Sequence, residues 1–519
     1  MAGPKVPRHS IKTEDEAVSR AACKRWLILF AVMLAFMPVV IDMTILHIAV
    51  PSLTQALKAT SSEVLWIIDV YPLLMAGLLV PMGTLADRLG NRRLLLIGLT
   101  VFGLASLLAA FSQTPAMLIG ARMLLAIGGS MIMPCVLGII RRTFEDDRER
   151  AMALGIWGTV SAGGAAVGPL AGGALLEHFW WGSVFLINVP LMAIVLPVVF
   201  MLLPRVESTS PGKWNIAQAL LLIVGIIAVV YSIKADIGST TPFAIVIAIL
   251  LIGLVALSVF AYLQLNSPSP MLDLSLFAHP AIVAGIVMAL FVTGALAGVE
   301  LTLAMELQYV LENTPLEAGI FMVPIMVAAA VGGPMAGYFY NVFGLQAVAT
   351  ASLAVSACTL AVLASTELAS NALVLIDLAM LGLALSIGLT ASSIAIMGAV
   401  EADKGAAAGA LEATAYELGT GLGITFFGVF MSSVFAKAIV LPANLTAIQA
   451  DNAAKSIGDS FLIAEELSRS EAADLIASAK IAFSATSSVL LTTCATALGV
   501  LSAIIFILLR KDNLESDRN

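Results

Sequence analysis

Charge, cysteine and histidine are all scarce in this sequence. Only 12% of its 519 residues are charged, whereas a soluble globular chain carries about 25%. The four cysteines, at positions 23, 135, 358 and 494, lie far apart, so they offer neither a disulfide framework nor metal-binding spacing. With four histidines, no phosphate-binding loop and no Ser/His/Asp arrangement, the sequence has no visible catalytic centre. We therefore expect neither an enzyme nor a bound metal, and a membrane-embedded enzyme or receptor is kept only as a remote alternative.

Long apolar runs fill most of the chain. Hydrophobic residues make up 60% of it, the mean hydropathy is +1.02, and one membrane span needs about 20 apolar residues. The runs predict an all-α membrane protein with fourteen spans, because a helix satisfies its own backbone hydrogen bonds in lipid. The predicted spans begin near Trp26, Val64, Leu94, Ala116, Met152, Gly182, Asn215, Thr241, Ala281, Glu317, Ala347, Ala372, Ala406 and Ala485.

Basic residues concentrate on one side of the predicted spans. Most of the 26 Lys and Arg residues fall in the tails and in alternate connecting segments, and the positive-inside rule makes that side cytoplasmic. Both termini are then cytoplasmic, whereas Lys58, Lys234 and Lys437 are expected outside. Residues 1–25 are polar, so no cleavable signal peptide is expected. The net charge of −8 argues against nucleic acid as a partner.

One short polar turn, GTLADRLGNRRLL, joins the second and third predicted spans. Its charged side chains cannot lie in hydrocarbon, so the turn marks a membrane surface. Glycines let the helix ends approach closely, and the aspartate can hold a helix N-terminus or an arginine. A fainter copy, GYFYNVFGLQAV at Gly337 to Val348, indicates an internal repeat. The motif residues are Gly83, Asp87, Arg88, Gly90, Arg92 and Arg93.

This turn resembles the signature loop between spans 2 and 3 of major facilitator superfamily transporters. With the repeat, the resemblance implies six-helix bundles at residues 26–205 and 281–510, an inserted pair of spans at 206–280, and tails at 1–25 and 511–519. Segment 433–484 is too long for a simple turn and too charged for a span. We expect it to form an extracytoplasmic helical hairpin loop, with Ser468 and Glu471 opening a helix as a capping box.

Charged side chains inside the predicted spans are candidates for function, because a charge in lipid is expensive. Acids predominate, and a water-filled cavity lined by carboxylates attracts organic cations and can hold protons. Each acid also has an ordinary alternative, a structural hydrogen bond to a neighbouring helix. Arg122 is expected to pair with an acid, and Asp42 is the first candidate. The acidic candidates are Asp42, Asp69, Glu300, Glu412 and Glu417.

Span 13 carries two of these acids five residues apart. On a helix, Glu412 and Glu417 point about 140° apart, so they cannot both face one cavity centre. Tyr416 lies on the face of Glu412, and Trp66 lies one turn before Asp69. Both rings are predicted to face a cationic substrate, although aromatic rings in spans more often pack or face lipid. The glycines at 419, 421 and 423 favour close helix contact.

In span 5, the segment SAGGAAVGPLAGGAL places a stripe of glycine residues along one helix face. Gly164, Gly168 and Gly172 recur every four residues, which favours close packing, and Pro169 frees a backbone carbonyl and permits a bend. Ordinary tight packing would leave the same pattern. The stripe resembles the antiporter signature of drug-exporting major facilitator proteins. Arg122 resembles the intramembrane arginine of that family, which is linked there to proton coupling.

Four further segments extend the resemblance over nearly the whole chain. IDMTILHIAVPSL, WIIDVYPLLMAG, HFWWGSVFLINVP and AGALEATAYELGTGLG resemble the fourteen-span drug:proton antiporters of the QacA and SmvA type, above all the SmvA-like efflux pumps. The resemblance implies proton-driven export of methyl viologen, quaternary ammonium compounds, dyes and biguanides such as chlorhexidine, and hence antimicrobial resistance. It also implies that Asp42, Glu412 and Glu417 serve in protonation or cation binding.

The same resemblance implies the partners and the location. Small lipophilic cations, protons and the lipid bilayer are the expected partners, the proton gradient takes the place of a cofactor, and a monomer in the bacterial cytoplasmic (inner) membrane is expected. One departure concerns span 10, where some QacA-like pumps carry an acid but FMVPIMVAAAVGG is apolar, which leaves the handling of divalent cations open. An exporter of an endogenous metabolite or siderophore with the same fold is the alternative.

Overall fold

The computed structural model describes residues 8–144, 146–204, 215–235, 242–267, 270–368, 372–400 and 405–516, and all regular elements in these ranges are helical. A short 3₁₀ helix at Leu274–Ala278 and a π-helical turn at Glu306–Val310 accompany the α-helices. The α-helices are α1 Arg8–Leu57, α2 Ser61–Leu89, α3 Asn91–Ala110, α4 Pro115–Thr143, α5 Asp147–His178, α6 Ser183–Leu186, α7 Asn188–Leu202, α8 Ile216–Lys234, α9 Phe243–Leu265, α10 Pro280–Met305, α11 Pro315–Ser365, α12 Ala372–Gly398, α13 Gly405–Ala438, α14 Ala447–Ala453, α15 Ile457–Ala464 and α16 Arg469–Ser516.

Thirteen helical stretches among the described residues are long and apolar enough to cross a membrane. α11 supplies two of the predicted spans, because its 51 residues would extend about 76 Å as one helix, far beyond a hydrocarbon core of about 30 Å. The break lies at Gly344, whose φ of +77° suits glycine. On this count the described residues are consistent with the fourteen predicted spans. Gly90 also has a positive φ, +91°, so the predicted repeat shares a backbone feature at both turns.

Two apolar cores organise the chain. One draws almost entirely on α1–α7, the N-terminal half, and the other on α10–α16, the C-terminal half. Helices α8 and α9, the insert, pack on each other, and α8 also packs on α2, where a Cβ added at Gly77 would lie 2.8 Å from Ile223 Cγ1. The exact domain boundaries proposed from the sequence stay a prediction.

The two halves meet along two helix pairs, α2 with α13 and α5 with α11. We call the end of the bundle that carries residues 439–468 the hairpin end, and the end that carries the Gly83–Arg93 turn the loop end. A Cβ added at Gly421 would lie 2.6 Å from Leu73 Cδ2, and one added at Gly319 would lie 2.6 Å from the carbonyl oxygen of Pro169. The Gly421 contact lies midway along α13 and α2, whereas the Gly319 contact lies near the start of α11. A Cβ added at Gly428 would overlap Leu65 near the start of α2, so the halves are closed against each other at the hairpin end.

The segment before the last span departs from the predicted hairpin. Two short helices, α14 and α15, follow α13, but the predicted next helix is the beginning of α16, which runs without a break from Arg469 through the span expected to begin near Ala485. The helix continues because no glycine or proline interrupts residues 469–484. Glu471 accepts hydrogen bonds from the N–H and hydroxyl of Ser468, which is half of the predicted capping box.

Candidate functional site

Asp42 and Arg122 form a buried ion pair between α1 and α4. Arg122 Nη1 lies 2.5 Å from Asp42 Oδ2, and Arg122 Nε donates a hydrogen bond of 3.1 Å to the carbonyl of Ile67. The guanidinium also lies 4.5 Å from the centre of the Tyr71 ring, an arrangement that favours a cation. The predicted pairing of Arg122 with Asp42 is therefore confirmed. The coupling role of the pair stays a prediction.

Asp69 has a basic partner that the sequence did not suggest. Lys234 Nζ at the end of α8 lies 2.5 Å from Asp69 Oδ2, and Thr425 of α13 donates a hydrogen bond of 2.7 Å to the same oxygen. Lys234 was expected outside, yet its side chain is 2% exposed and its ammonium lies 3.8 Å from the centre of the Trp66 ring. The sequence assigned Lys234 only to the outer side of the membrane, which stays a prediction; its burial arises because the insert packs α8 against α2. Trp66 therefore faces a cation belonging to the protein itself.

Glu300 pairs across the two halves. His47 Nδ1 of α1 lies 3.2 Å from Glu300 Oε2 of α10, and both side chains are buried. Nearby, the Gln308 amide donates a hydrogen bond of 3.1 Å to the carbonyl of Ile48. Both contacts join the N-terminal half to the C-terminal half towards the hairpin end. His47 was noticeable in the sequence only as a polar residue in an apolar span.

The two acids of α13 face different surroundings, as their spacing predicted. The Tyr416 hydroxyl donates a hydrogen bond of 2.6 Å to Glu412 Oε1, and Glu412 is half-buried. Glu417 is 3% exposed, and its Oε2 has no hydrogen-bond partner among the described residues. Tyr71 lies within electrostatic reach of both Glu417 and Asp42. The Tyr71 ring therefore lies near both the Asp42–Arg122 pair and the carboxyl of Glu417.

Glycines let α13 approach α10 and α2 closely. A Cβ added at Gly423 would overlap Gly294 of α10, and one added at Gly419 would lie 2.6 Å from the carbonyl oxygen of Leu290. Gly421 faces α2 at Leu73. The close contacts expected of this glycine run are confirmed, and they place Glu417 where α13 meets α2.

The stripe on α5 packs against α1. A Cβ added at Gly168 would overlap Thr44 Oγ1, and one added at Gly172 would lie 2.7 Å from Ile45 Cγ1. Thr44 donates a hydrogen bond of 3.1 Å to the carbonyl of Ala165, which is the carbonyl that Pro169 leaves without a helical donor. Gly164 packs on Val40 in the same way. Both features predicted for the stripe, close packing and a freed carbonyl, are present.

The polar turn at the loop end holds four helices together. Asp87 Oδ1 lies 3.6 Å from Arg142 Nη2 at the end of α4, so the predicted aspartate–arginine contact is present. Arg92 donates a hydrogen bond of 2.8 Å to the carbonyl of Phe200 and lies over its ring. A Cβ added at Gly83 would lie 3.7 Å from Pro134, also on α4. The turn thus ties α2 and α3 to α4 and α7.

Two helical halves that meet at one end, with buried acids along their seam, define a secondary transporter of the alternating-access class. The sequence profile of the Major Facilitator Superfamily matches residues 32–305. The chain belongs to the Major Facilitator Superfamily, a family of transporters and not of enzymes.

Sequence identity to two individual proteins extends this assignment. The chain is 44% identical to the methyl viologen resistance protein SmvA of Salmonella typhimurium, over 92% of this chain and 97% of that protein. It is 34% identical to the multidrug efflux pump LfrA of Mycolicibacterium smegmatis, over 90% of this chain and 93% of that pump. The predicted resemblance to SmvA-type pumps is confirmed at the level of the family.

Solved structures support the fold. A bacterial homologue of the human lysosomal transporter Spinster, in an inward-facing and occupied conformation, superimposes with a TM-score of 0.63, covering 94% of this chain and 97% of that one at 18% identity. The nucleoside transporter NupG superimposes with a TM-score of 0.60 at 13% identity, covering 93% of this chain and 100% of that one. At these identities the comparison concerns the fold alone.

Proposed function

We propose that the protein is a proton-driven antiporter that exports lipophilic organic cations by alternating access. The names of its relatives, a methyl viologen resistance protein and a multidrug efflux pump, favour cationic drugs over an endogenous metabolite. An excess of carboxylates along the seam between the halves agrees with a positively charged substrate.

The carboxyl of Glu417 carries this proposal. It is buried, and the described residues give it no basic partner and leave its Oε2 without a donor. A buried carboxylate without a partner is unstable by several kcal/mol, so a proton or a bound cation must neutralise it. The two ligands then exclude each other, and this competition links drug release to proton uptake. Glu412, with Tyr416 beside it, is proposed to accept the substrate from the opposite face of α13.

Asp42 and Arg122 are proposed to relay this exchange to the N-terminal half. Protonation of Asp42 would release Arg122, and the Tyr71 ring, which lies against that guanidinium, is also within electrostatic reach of Glu417. Opening at the hairpin end must break the bonds that join the halves there, Thr425 to Asp69 and Gln308 to Ile48. The stripe at Gly164, Gly168 and Gly172 lets α5 slide on α1 during that motion.

The remaining expectations belong to the same proposal. The substrates are quaternary ammonium compounds, dyes, biguanides and methyl viologen, and the proton gradient replaces a cofactor. The protein is proposed to act as a monomer in the bacterial inner membrane with both termini cytoplasmic, which places the hairpin end outside. Protons then enter from the outside as the cation leaves.

Everted membrane vesicles test this function. Vesicles containing the protein should accumulate ethidium when acidified inside, and collapse of the pH gradient should abolish the uptake. Glu417→Gln should abolish uptake, whereas Glu466→Gln, which removes an exposed acid on the loop before α16, should leave it unchanged. Accumulation of ethidium that survives collapse of the pH gradient would contradict proton coupling. An absence of cation uptake would favour the metabolite exporter.

A further inference from the structure

Lys234 is the last residue of α8 and reaches from the insert into the seam between the halves. Its ammonium is 2.5 Å from a carboxylate oxygen of Asp69 and 3.8 Å from the centre of the Trp66 ring, and its side chain is 2% exposed. A carboxylate beside an aromatic face is the arrangement with which proteins bind organic ammonium ions. The side chain of Lys234 therefore lies as a bound ammonium ion would lie.

The surroundings of this ammonium come from three different parts of the chain. Trp66 and Asp69 belong to α2 of the N-terminal half, Thr425 belongs to α13 of the C-terminal half, and Lys234 belongs to the insert. Tyr231, one turn before Lys234 on α8, lies against Trp66 with ring centres 6.3 Å apart. We call Trp66, Asp69 and Thr425 the cation box. Because Thr425 moves with the opposite half, opening at the hairpin end would expose the box to the transport path.

We propose that the cation box is a second organic-cation site of this protein, and that Lys234 is the cation that occupies it in this conformation. The ammonium of Lys234 neutralises Asp69 without a proton or a drug, which leaves Glu417 as the carboxyl for exchange. A departing cationic substrate then passes the box without being held there. The proposal rests on the proposed function only for the view that the substrate is a cation.

A purely structural ion pair would predict different behaviour. Removing one partner of any buried pair destabilises the fold, because the other charge is left uncompensated. Only a cation-binding site would accept a free ammonium ion in place of the lost side chain. Chemical replacement of the Lys234 ammonium therefore separates the two explanations.

The test uses Lys234→Ala in the full-length purified protein, with n-propylammonium as the probe, since it supplies the deleted methylenes and ammonium. We expect Lys234→Ala to lower the melting temperature, and millimolar n-propylammonium to restore it, whereas 1-propanol should not. Rescue should disappear in Lys234→Ala/Asp69→Asn and weaken about tenfold in Lys234→Ala/Trp66→Leu, since the ring contributes a cation–π contact. Equal effects of the amine and the alcohol, or no effect of either, would overturn the proposal.

A second variant covers the case in which Lys234→Ala does not accumulate. Lys234→Met/Asp69→Asn removes both charges at similar volume, so no buried charge is left unpaired. If Lys234 serves to neutralise Asp69, this variant should accumulate and melt close to the wild-type temperature, and a large loss of stability in it would overturn the proposal. The rescue of the melting temperature by n-propylammonium does not depend on export, so it tests the cation box by itself. A failure of wild-type vesicles to transport ethidium would reject the proposed function and leave the result of the rescue unchanged.

Discussion

The acids of the N-terminal half and those of α13 differ in what neutralises them. Asp42 lies against Arg122 and Asp69 lies against Lys234, each at 2.5 Å. Among the described residues, neither Glu412 nor Glu417 has a basic side chain within ion-pair distance. The N-terminal acids therefore carry fixed counter-charges in this conformation, whereas the acids of α13 have no such counter-charge among the described residues.

The difference originates in the distribution of basic residues along the sequence. Between Pro280 and Phe435 the only Lys or Arg is Lys404, so the C-terminal spans hold almost no cation that could pair with an acid. The N-terminal half and the insert supply Arg122 and Lys234 from within or beside their spans. A carboxyl in the C-terminal half is thereby left without a fixed counter-charge, as the proposed exchange of protons for cations requires.

The largest expected effect contrasts Asp42→Asn with Glu417→Gln. Asp42→Asn leaves the guanidinium of Arg122 buried without its counter-charge, which should lower the free energy of unfolding by about 3–5 kcal/mol. Glu417→Gln removes a carboxyl that has no partner, so the free energy of unfolding should stay the same or rise. Thermal unfolding of the two purified variants beside the wild type measures both effects.

The double variant Asp42→Asn/Arg122→Gln provides the control for this contrast. It removes both charges, so its stability should lie closer to that of the wild type than the stability of Asp42→Asn does. If Glu417→Gln destabilises the protein as much as Asp42→Asn, Glu417 has a fixed partner and the contrast between the two regions is lost.

A smaller effect is expected where the glycine stripe of α5 packs against α1, the helix that carries Asp42. Gly168→Ala would drive a methyl group into Thr44 and disturb its bond to the Ala165 carbonyl, so it should lower the free energy of unfolding by about 1–3 kcal/mol. Gly163→Ala on the same helix meets nothing within 4 Å and should be neutral or slightly stabilising. Equal melting temperatures for these two variants would show that the stripe does not fix α1.

The smallest effect concerns Asp459, an acid on α15 outside the spans. Burial raises the pKa of this carboxyl above its ordinary range, although hydrogen bonds from Ser456 and from Ser61 at the start of α2 oppose the shift. Docked α15 then binds more protons than undocked α15 at pH values between the ordinary and the raised pKa. Docking should therefore weaken as pH rises through that window and be strongest below it.

Amide hydrogen exchange in α15, corrected for the intrinsic pH dependence, measures this docking. Protection of residues 457–464 should fall as the pH rises through the raised pKa of Asp459 in the wild type, and Asp459→Asn should flatten the dependence. Protection that instead increases with pH would mean that α15 is held by ionised Asp459, in the same way as the N-terminal acids are held by their bases.

The spans, the polar turn with its fainter copy, and the Asp42–Arg122 pair could be predicted from the sequence. Long apolar runs are a local signal for spans, and the high energy of a lone charge in lipid leaves Arg122 few possible partners. The sequence was insufficient for the Lys234–Asp69 pair, because nothing in the segment around Lys234 indicates that α8 packs on α2. Thr425 and Tyr71 carry no distinguishing signal in their own segments. Their roles depend on how glycines at 421 and 423 let α13 approach its neighbours, and that is a property of packing.

Drug-induced proton release from the purified protein tests the central claim most directly, the claim that Glu417 exchanges a proton for a cation. Tetraphenylphosphonium added to the wild type in weakly buffered solution near neutral pH should release protons into the medium. Glu417→Gln should abolish that release, whereas the exposed control Glu466→Gln should release as many protons as the wild type. Undiminished proton release from a folded Glu417→Gln variant would contradict the account.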